Sequence, residues 1–205
     1  MRVLVACEFS GRVRDAFIAK GHSAMSCDLL PSETPGAHYQ GDVFDIINDG
    51  WDLMIAHPPC TYLSKAGARW LHGGGKINYE RYELGLKAKE FFLQLLNSRI
   101  PMIALENPTP LKIYGLPEHS QAIQPYEFGH PYSKRTLLWL KNLPLLMPTN
   151  ILNEYKPFLP SNVGGKKRGQ SYSFGVARNA KESSITFQGI ADAMAEQWGG
   201  NSDRE

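Results

Sequence analysis

Two residues in this chain combine reactive side chains with backbone settings that would hold them still. Cys60 lies in "DLMIAHPPCTYLS", directly after Pro58 and Pro59. Each proline fixes its own φ, and the second disfavours helix at the first, so the pair stiffens the turn that presents the thiol. A buried, inert cysteine is the ordinary alternative. A cysteine inside a core strand, however, has no need of a twin-proline stop. Glu106 lies in "IPMIALENP", at the end of an otherwise apolar run. A carboxylate there is costly to bury without partners, and Asn107 is placed to orient it. If the two runs are neighbouring strands, thiol and carboxyl face one cleft. Such a pair can carry out nucleophilic attack with assisted protonation.

A second set of residues has the spacing of a nucleoside site. "CEFSG" sits between an apolar run and a helical pattern, where free backbone N–H groups collect. It lacks the full G-x-G-x-x-G pattern, and Gly11 alone can be read as a turn residue. Asp28 follows seventeen residues later, at the end of the second apolar run. An acid there can accept from both hydroxyls of a ribose, and Asp42 could hold an adenine amino group. Each acid taken singly reads as a solvated loop residue. In this order the three features point to a nucleoside-containing cofactor. No Walker lysine is present, which argues against ATP hydrolysis. The basic loop "GGKKRG" offers Lys166, Lys167 and Arg168 as phosphate contacts or as a solvated face. Tyr62, Trp70 and Tyr79 are either base-stacking groups or loop anchors.

The elements that must position these residues follow from periodicity. Arg2 to Cys7 reads as a buried strand and is followed by a helix with Val13, Phe17 and Ile18 on one side, ending at Gly21. "HSAMSCD" and "WDLMIAH" read as strands, and "GDVFDII" as a short strand or turn. The glycine-rich segment from Gly67 to Lys76 reads as a mobile loop. Leu84, Ala88, Phe91, Phe92 and Leu95 recur at helical spacing. A strand is expected from Thr136 to Leu140, and a last helix with Ile190, Met194 and Ala195 toward the core. This β-α-β alternation, with acids at strand ends, predicts a mostly parallel sheet covered by helices. Ligands then sit outside the carboxyl ends of the strands.

Bulk properties add bounds. The 205 residues fit one domain, 1–205. A net charge of +2 neither demands nor repels a nucleic acid. Cys7, Cys27 and Cys60 are spaced neither as a zinc site nor as a disulfide framework, so no metal is expected and a reducing, cytoplasmic compartment is. The opening apolar run is short for a signal peptide, and no run is long enough to span a membrane.

The segments "VACEFSG", "HPPCTYLS", "ALENP" and "FQGIADAMAEQW" resemble, in order, the motifs of the DNA cytosine-5 methyltransferase family, and most nearly its short phage or prophage-type members. The resemblance covers residues 1 to about 140 and the final helix. It implies a Rossmann-like, S-adenosylmethionine-dependent methyltransferase fold. It gives Cys60 the attack on C6 of cytosine and Glu106 the grip on N3 and the exocyclic amine. It places Phe9, Ser10, Gly11, Asp28, Asp42 and Pro58 around S-adenosylmethionine, with Ser184 to Gln188 approaching its methionine part. Thr61, Asn107 and Lys134 fall on the substrate side. The family's arginine motif is matched only loosely, by "PYSKRT", with Arg135 the first candidate and Lys134 the second.

Several positions depart from the family pattern. Cys7, with Glu8 beside it, stands where an acid usually opens the first motif, and Val13 stands near its second glycine. Thr61 replaces a glutamine, and Pro108 a valine. About fifty residues separate Arg135 from the last helix, so 141–182 is expected to be a reduced loop region in place of a target-recognition domain. The function implied is methyl transfer to C5 of cytosine in DNA through a covalent adduct. The alternatives are the same chemistry on a free cytosine nucleotide or single-stranded nucleic acid, and a non-catalytic nucleic-acid-binding or accessory subunit. A homodimer is a further expectation for its assembly.

Overall fold

The structure is a computed structural model, described over residues 1–73, 76–158 and 180–200. The first half holds β1 (Arg2–Ala6), α1 (Arg12–Ala19), β2 (Ser23–Asp28), β3 (His38–Gln40) and β4 (Leu53–Ala56). The short α2 (Ala68–Leu71) and a hairpin of β5 (His72–Gly73) and β6 (Lys76–Ile77) precede the long α3 (Tyr79–Leu96). Then come β7 (Met102–Asn107), β8 (Gln121–Ile123), β9 (Tyr132–Ser133), β10 (Thr136–Lys141) and β11 (Lys156–Pro157). The chain closes with α4 (Ala180–Ser184) and α5 (Gln188–Trp198).

Seven strands form one sheet in the order β3-β2-β1-β4-β7-β10-β8. The first five are mutually parallel, and β10 runs antiparallel to both of its neighbours. This is the Rossmann-like, mostly parallel α/β fold that the sequence leads one to expect. The chain moves outward from β1 to β3 and then returns to the other side of β1 as β4. The order therefore reverses between β1 and β4, and the crevice at such a point is where ligands lodge.

Alternation along the central strands builds two cores. Val3, Val5, Leu53 and Ile55 face the layer of α1 and α5, with Val13, Phe17, Ile190 and Met194. Leu4, Ala6, Met54 and Ala56 face the layer of α3, with Phe92, Leu95 and Trp139. Both faces of the sheet are covered, which is why these strands read as continuous apolar runs.

Three expectations are revised. Ile18 is 44% exposed, while Arg14 takes its place in the interior. Val13 and Phe17 are four residues apart and share a face, but Ile18 is turned about 100° from Phe17. The glycine-rich segment is not a plain loop, since α2 and the β5–β6 hairpin occupy its described part. The apolar run from Trp51 to His57 pairs as a strand only over Leu53–Ala56.

Arg14 is fully buried and well partnered. Its guanidinium donates to Asp15 Oδ1 at 2.8 Å, Ser26 Oγ at 3.1 Å, Ser32 Oγ at 3.2 Å, Thr34 Oγ1 at 2.6 Å and the Pro35 carbonyl at 2.9 Å. These bonds fasten the loop after β2 to α1. A Cβ at Gly36 would lie 2.7 Å from the guanidinium carbon.

Candidate active site

Register, rather than sequence distance, assembles the site. β4 and β7 are parallel neighbours with Ala56 opposite Leu105. The next residues, His57 and Glu106, therefore emerge side by side at the carboxyl edge of the sheet. His57 Nδ1 lies 3.2 Å from Glu106 Oε2, and the two side chains are 11% and 12% exposed. The contact is off the line of a good hydrogen bond. Both His57 nitrogens, Glu106 Oε2 and both amide atoms of Asn107 are buried without a hydrogen-bond partner among the described residues. Buried polar groups left in this way are costly unless something else meets them.

The loops beyond the two strands are tied together. The Cys60 carbonyl accepts from Leu63 N at 3.1 Å and Ser64 N at 2.9 Å, closing a turn just after the prolines. Lys65 N donates to the Thr109 carbonyl at 3.0 Å, and Leu111 N to the Leu63 carbonyl at 2.7 Å. The cysteine loop and the "ENP" loop thus form one unit. Cys60 is half-buried, Pro58 is buried and Thr61 is exposed.

The electrostatics of the unit are mutual. Burial pushes the Cys60 thiol up, opposed by the positive charge of Lys134; a backbone N–H also lowers it, Glu106 raises it and Ser64 lowers it. The net direction is upward, so the resting group is a thiol. Burial would raise Glu106, but the close contact and charge of His57, then Lys134 and Thr186, outweigh it and hold the carboxyl below its ordinary range. Burial would lower His57, yet Glu106 and, more weakly, Glu8 lift it above its ordinary value. Each partner thus favours the charged form of the other.

Lys134 is the cation whose charge acts on Cys60, Glu106 and His57 together. Its Nζ stands 5.9 Å from the centre of the Phe187 ring. Arg135 is exposed. The start of α5 closes this side, with Thr186 buried and Arg12 Nη1 donating to its carbonyl at 3.2 Å.

The nucleoside-type residues lie along the β1–β2–β3 edge. The Glu8 carboxylate is buried and accepts from Val13 N at 2.8 Å and Ser10 Oγ at 3.1 Å, so it caps α1. Ser10 is buried, and Gly11 has φ 74° with Thr34 and Arg14 where a Cβ would stand. Phe9 is half-buried, with Lys181 Nζ 5.1 Å from its ring centre. Asp28 Oδ1 accepts from Leu30 N at 2.9 Å, and Asp42 Oδ1 from Phe44 N at 3.0 Å. Burial chiefly, then Asp28, pushes the thiols of Cys7 and Cys27 upward, that of Cys27 to about 11. Asp42 raises both further, which places the two acids around one spot. A half-buried aromatic ring and two carboxylates are a donor set that fits a ribose and an adenine amine.

Lys166, Lys167 and Arg168 lie outside the described residues. His57 and Glu8 were not singled out by sequence reading. His57 stood directly before the twin prolines, but only the register of β4 on β7 shows what it meets.

No protein-family model matches the chain, and no curated protein matches it. Solved structures do. An Escherichia coli prophage-encoded protein described as a DNA modification methyltransferase is 15% identical, with 74% of this chain and 52% of that one covered and a TM-score of 0.44. The Entamoeba histolytica methyltransferase EhMeth is 14% identical over 74% of this chain and 57% of its own, with a TM-score of 0.46. A mutant form of Spodoptera frugiperda DNMT2 is 15% identical over 78% and 55%, with a TM-score of 0.38. The chain thus spans little more than half the length of these structures. Likenesses at this level assign neither an activity nor residue roles to it.

Proposed function

We propose that this protein transfers a methyl group from S-adenosylmethionine to C5 of cytosine in a nucleic acid, through a covalent bond between Cys60 and C6. The observation that carries the reading is the register of β4 on β7, which sets the proline-held thiol and a buried, ion-paired carboxyl at the carboxyl edge beside the sheet's reversal point.

In this reading Phe9, Asp28 and Asp42 hold the nucleoside part of the cofactor, and Ser10, Gly11 and Pro58 line the same side. When bound, the cofactor supplies an electrophilic methyl group. Cys60 gives up its thiol proton to solvent water and its Sγ bonds to C6, while the C5–C6 π electrons shift into C4–C5 and the C4–N3 π electrons move onto N3, which takes up a proton. Glu106 reaches N3 and the exocyclic amine. His57 supplies the proton through Glu106, which solves the difficulty of a carboxyl held ionised at rest. Lys134 stabilises the thiolate as it forms, and the orphaned Asn107 amide meets the substrate's polar edge. After methyl transfer, loss of the C5 proton to solvent water, return of the N3 proton to Glu106 and departure of Cys60 Sγ as thiolate restore the aromatic ring. In duplex DNA the base must first leave the stack, which costs a few kcal/mol.

The test is adduct trapping. An oligonucleotide bearing 5-fluorocytosine, incubated with labelled S-adenosylmethionine, is expected to form a covalent complex whose peptide map ends on Cys60. Cys60→Ala should form none. Absence of adduct and of label on duplex DNA, single-stranded DNA and dCMP alike would remove the reaction from consideration.

A further inference from the structure

A groove opens directly beside the candidate nucleophile. It has a volume of about 390 Å³ and is lined by Thr61, Tyr62, Trp70, Asn78, Glu80, Arg81 and Leu84. Thr61 is the residue after Cys60, so the groove and the reactive thiol share one loop. Trp70 is 58% exposed and lies on α2, with the Arg69 guanidinium carbon 4.7 Å from its ring centre. Arg81 sits 4.8 Å from the centre of the Tyr62 ring and donates to the Thr61 carbonyl at 2.9 Å, which holds the wall next to Cys60 in place. Between residues 61 and 84 the cations are Lys65, Arg69, Lys76 and Arg81, against the two carboxylates Glu80 and Glu83.

Aromatic faces with interleaved cations are the chemistry of a single-strand track, where bases stack on rings and phosphates meet Lys and Arg. An indole left mostly in water is expensive without a partner, whereas Trp51, Trp139 and Trp198 are 7%, 3% and 4% exposed. We infer that this groove takes the nucleotide flanking the target base in a single-stranded nucleic acid, with that base stacked on Trp70. The inference deepens the proposed function and rests on it for the word "target". It makes a polynucleotide strand, rather than a free nucleotide, the substrate class.

The contrast in exposure supplies the measurement. Of the four tryptophans only Trp70 is open to solvent, so its emission dominates any quenching by a bound strand. The protein is titrated, without cofactor, with an oligo-dT of about ten nucleotides, a length that occupies one single-strand site. Lacking cytosine, this probe is indifferent to the methylation chemistry. Expected results are quenching of the wild-type emission and, by anisotropy of a dye-labelled oligo-dT, a loss of affinity of about tenfold in Trp70→Ala and affinity within about threefold of wild type in Trp70→Phe, which keeps a stacking ring. Arg69→Ala should flatten the salt dependence by about 0.7 in log–log slope. Binding without a change in emission, or Trp70→Ala binding as tightly as wild type, overturns the inference. So does absence of binding at low salt, equal quenching by dTMP, or equal affinity for a dA·dT duplex of the same length. Wild-type emission and Trp70→Phe keep the test decisive if Trp70→Ala fails to fold. Conversely, a strand that binds here but never traps Cys60 leaves the groove standing and removes the proposed reaction.

Discussion

The pairing of His57 with Glu106 makes a residue-scale statement about pH. Each partner favours the charged form of the other, with burial opposing both. A carboxyl held below its unfolded value contributes stability that is lost as pH falls through the folded value. A histidine lifted above its unfolded value contributes stability that is complete below its ordinary 6.5 and lost as pH rises through the folded value. Both contributions overlap in the mildly acidic range. Glu106→Gln removes the main partner and leaves His57 with burial and Lys134 lowering it against Glu8 alone. The difference in urea midpoint between wild type and Glu106→Gln should therefore favour wild type more at about pH 6 than at about pH 9. A difference that is flat, or that grows toward alkaline pH, would mean the imidazole and carboxyl are not coupled.

Elements are fixed by contacts that local preference opposes, and α3 gives the sharpest case. Gly85 lies in its interior, where glycine costs about 1 kcal/mol relative to alanine. A Cβ there would nevertheless collide with the Tyr114 ring, which is 2% exposed and stacked on Tyr82 at 5.7 Å between centres. Gly85→Ala should therefore lower stability, by roughly 1–3 kcal/mol, despite its better helix propensity. Chemical denaturation checks the sign, and a stabilised variant would mean the ring can step aside.

The same scale shows what the sequence could and could not tell. The strand before the Cys60 loop and the strand carrying Glu106 were legible because apolar runs stopped at proline, and the final helix because the apolar Ile190, Met194 and Ala195, all buried, recur in a helical pattern. Arg14 was not legible. An arginine in a helix reads as solvent-facing, and apart from Asp15 its hydrogen-bond partners lie 12 to 21 residues away, on β2 and in the loop after it. His57 escaped for a related reason, since pairing between parallel strands leaves no local trace.

At the scale of the whole molecule, the proposed reading divides the labour between the two halves of the sheet. The β1–β2–β3 edge bears Phe9, Asp28 and Asp42, and the β4–β7–β10 edge bears Cys60, Glu106 and Lys134. S-adenosylhomocysteine at saturating concentration should raise the melting temperature and slow amide exchange at residues 7–11, 28–30 and 41–44, while leaving the exposed face of α3 unchanged. Protection confined to α3, or none, would place the ligand elsewhere.

The lone reversed strand has its own consequence. Because β10 runs against β7, with Leu137 opposite Asn107, its beginning arrives where β7 finishes. Lys134 is thereby delivered to the acid's doorstep by three residues of chain, and Gln124 Oε1, in the stretch between, accepts from its backbone N–H at 2.9 Å. A slip of β10 by one rung would carry the ammonium about 3.4 Å along the edge and exchange the faces of Leu138 and Trp139.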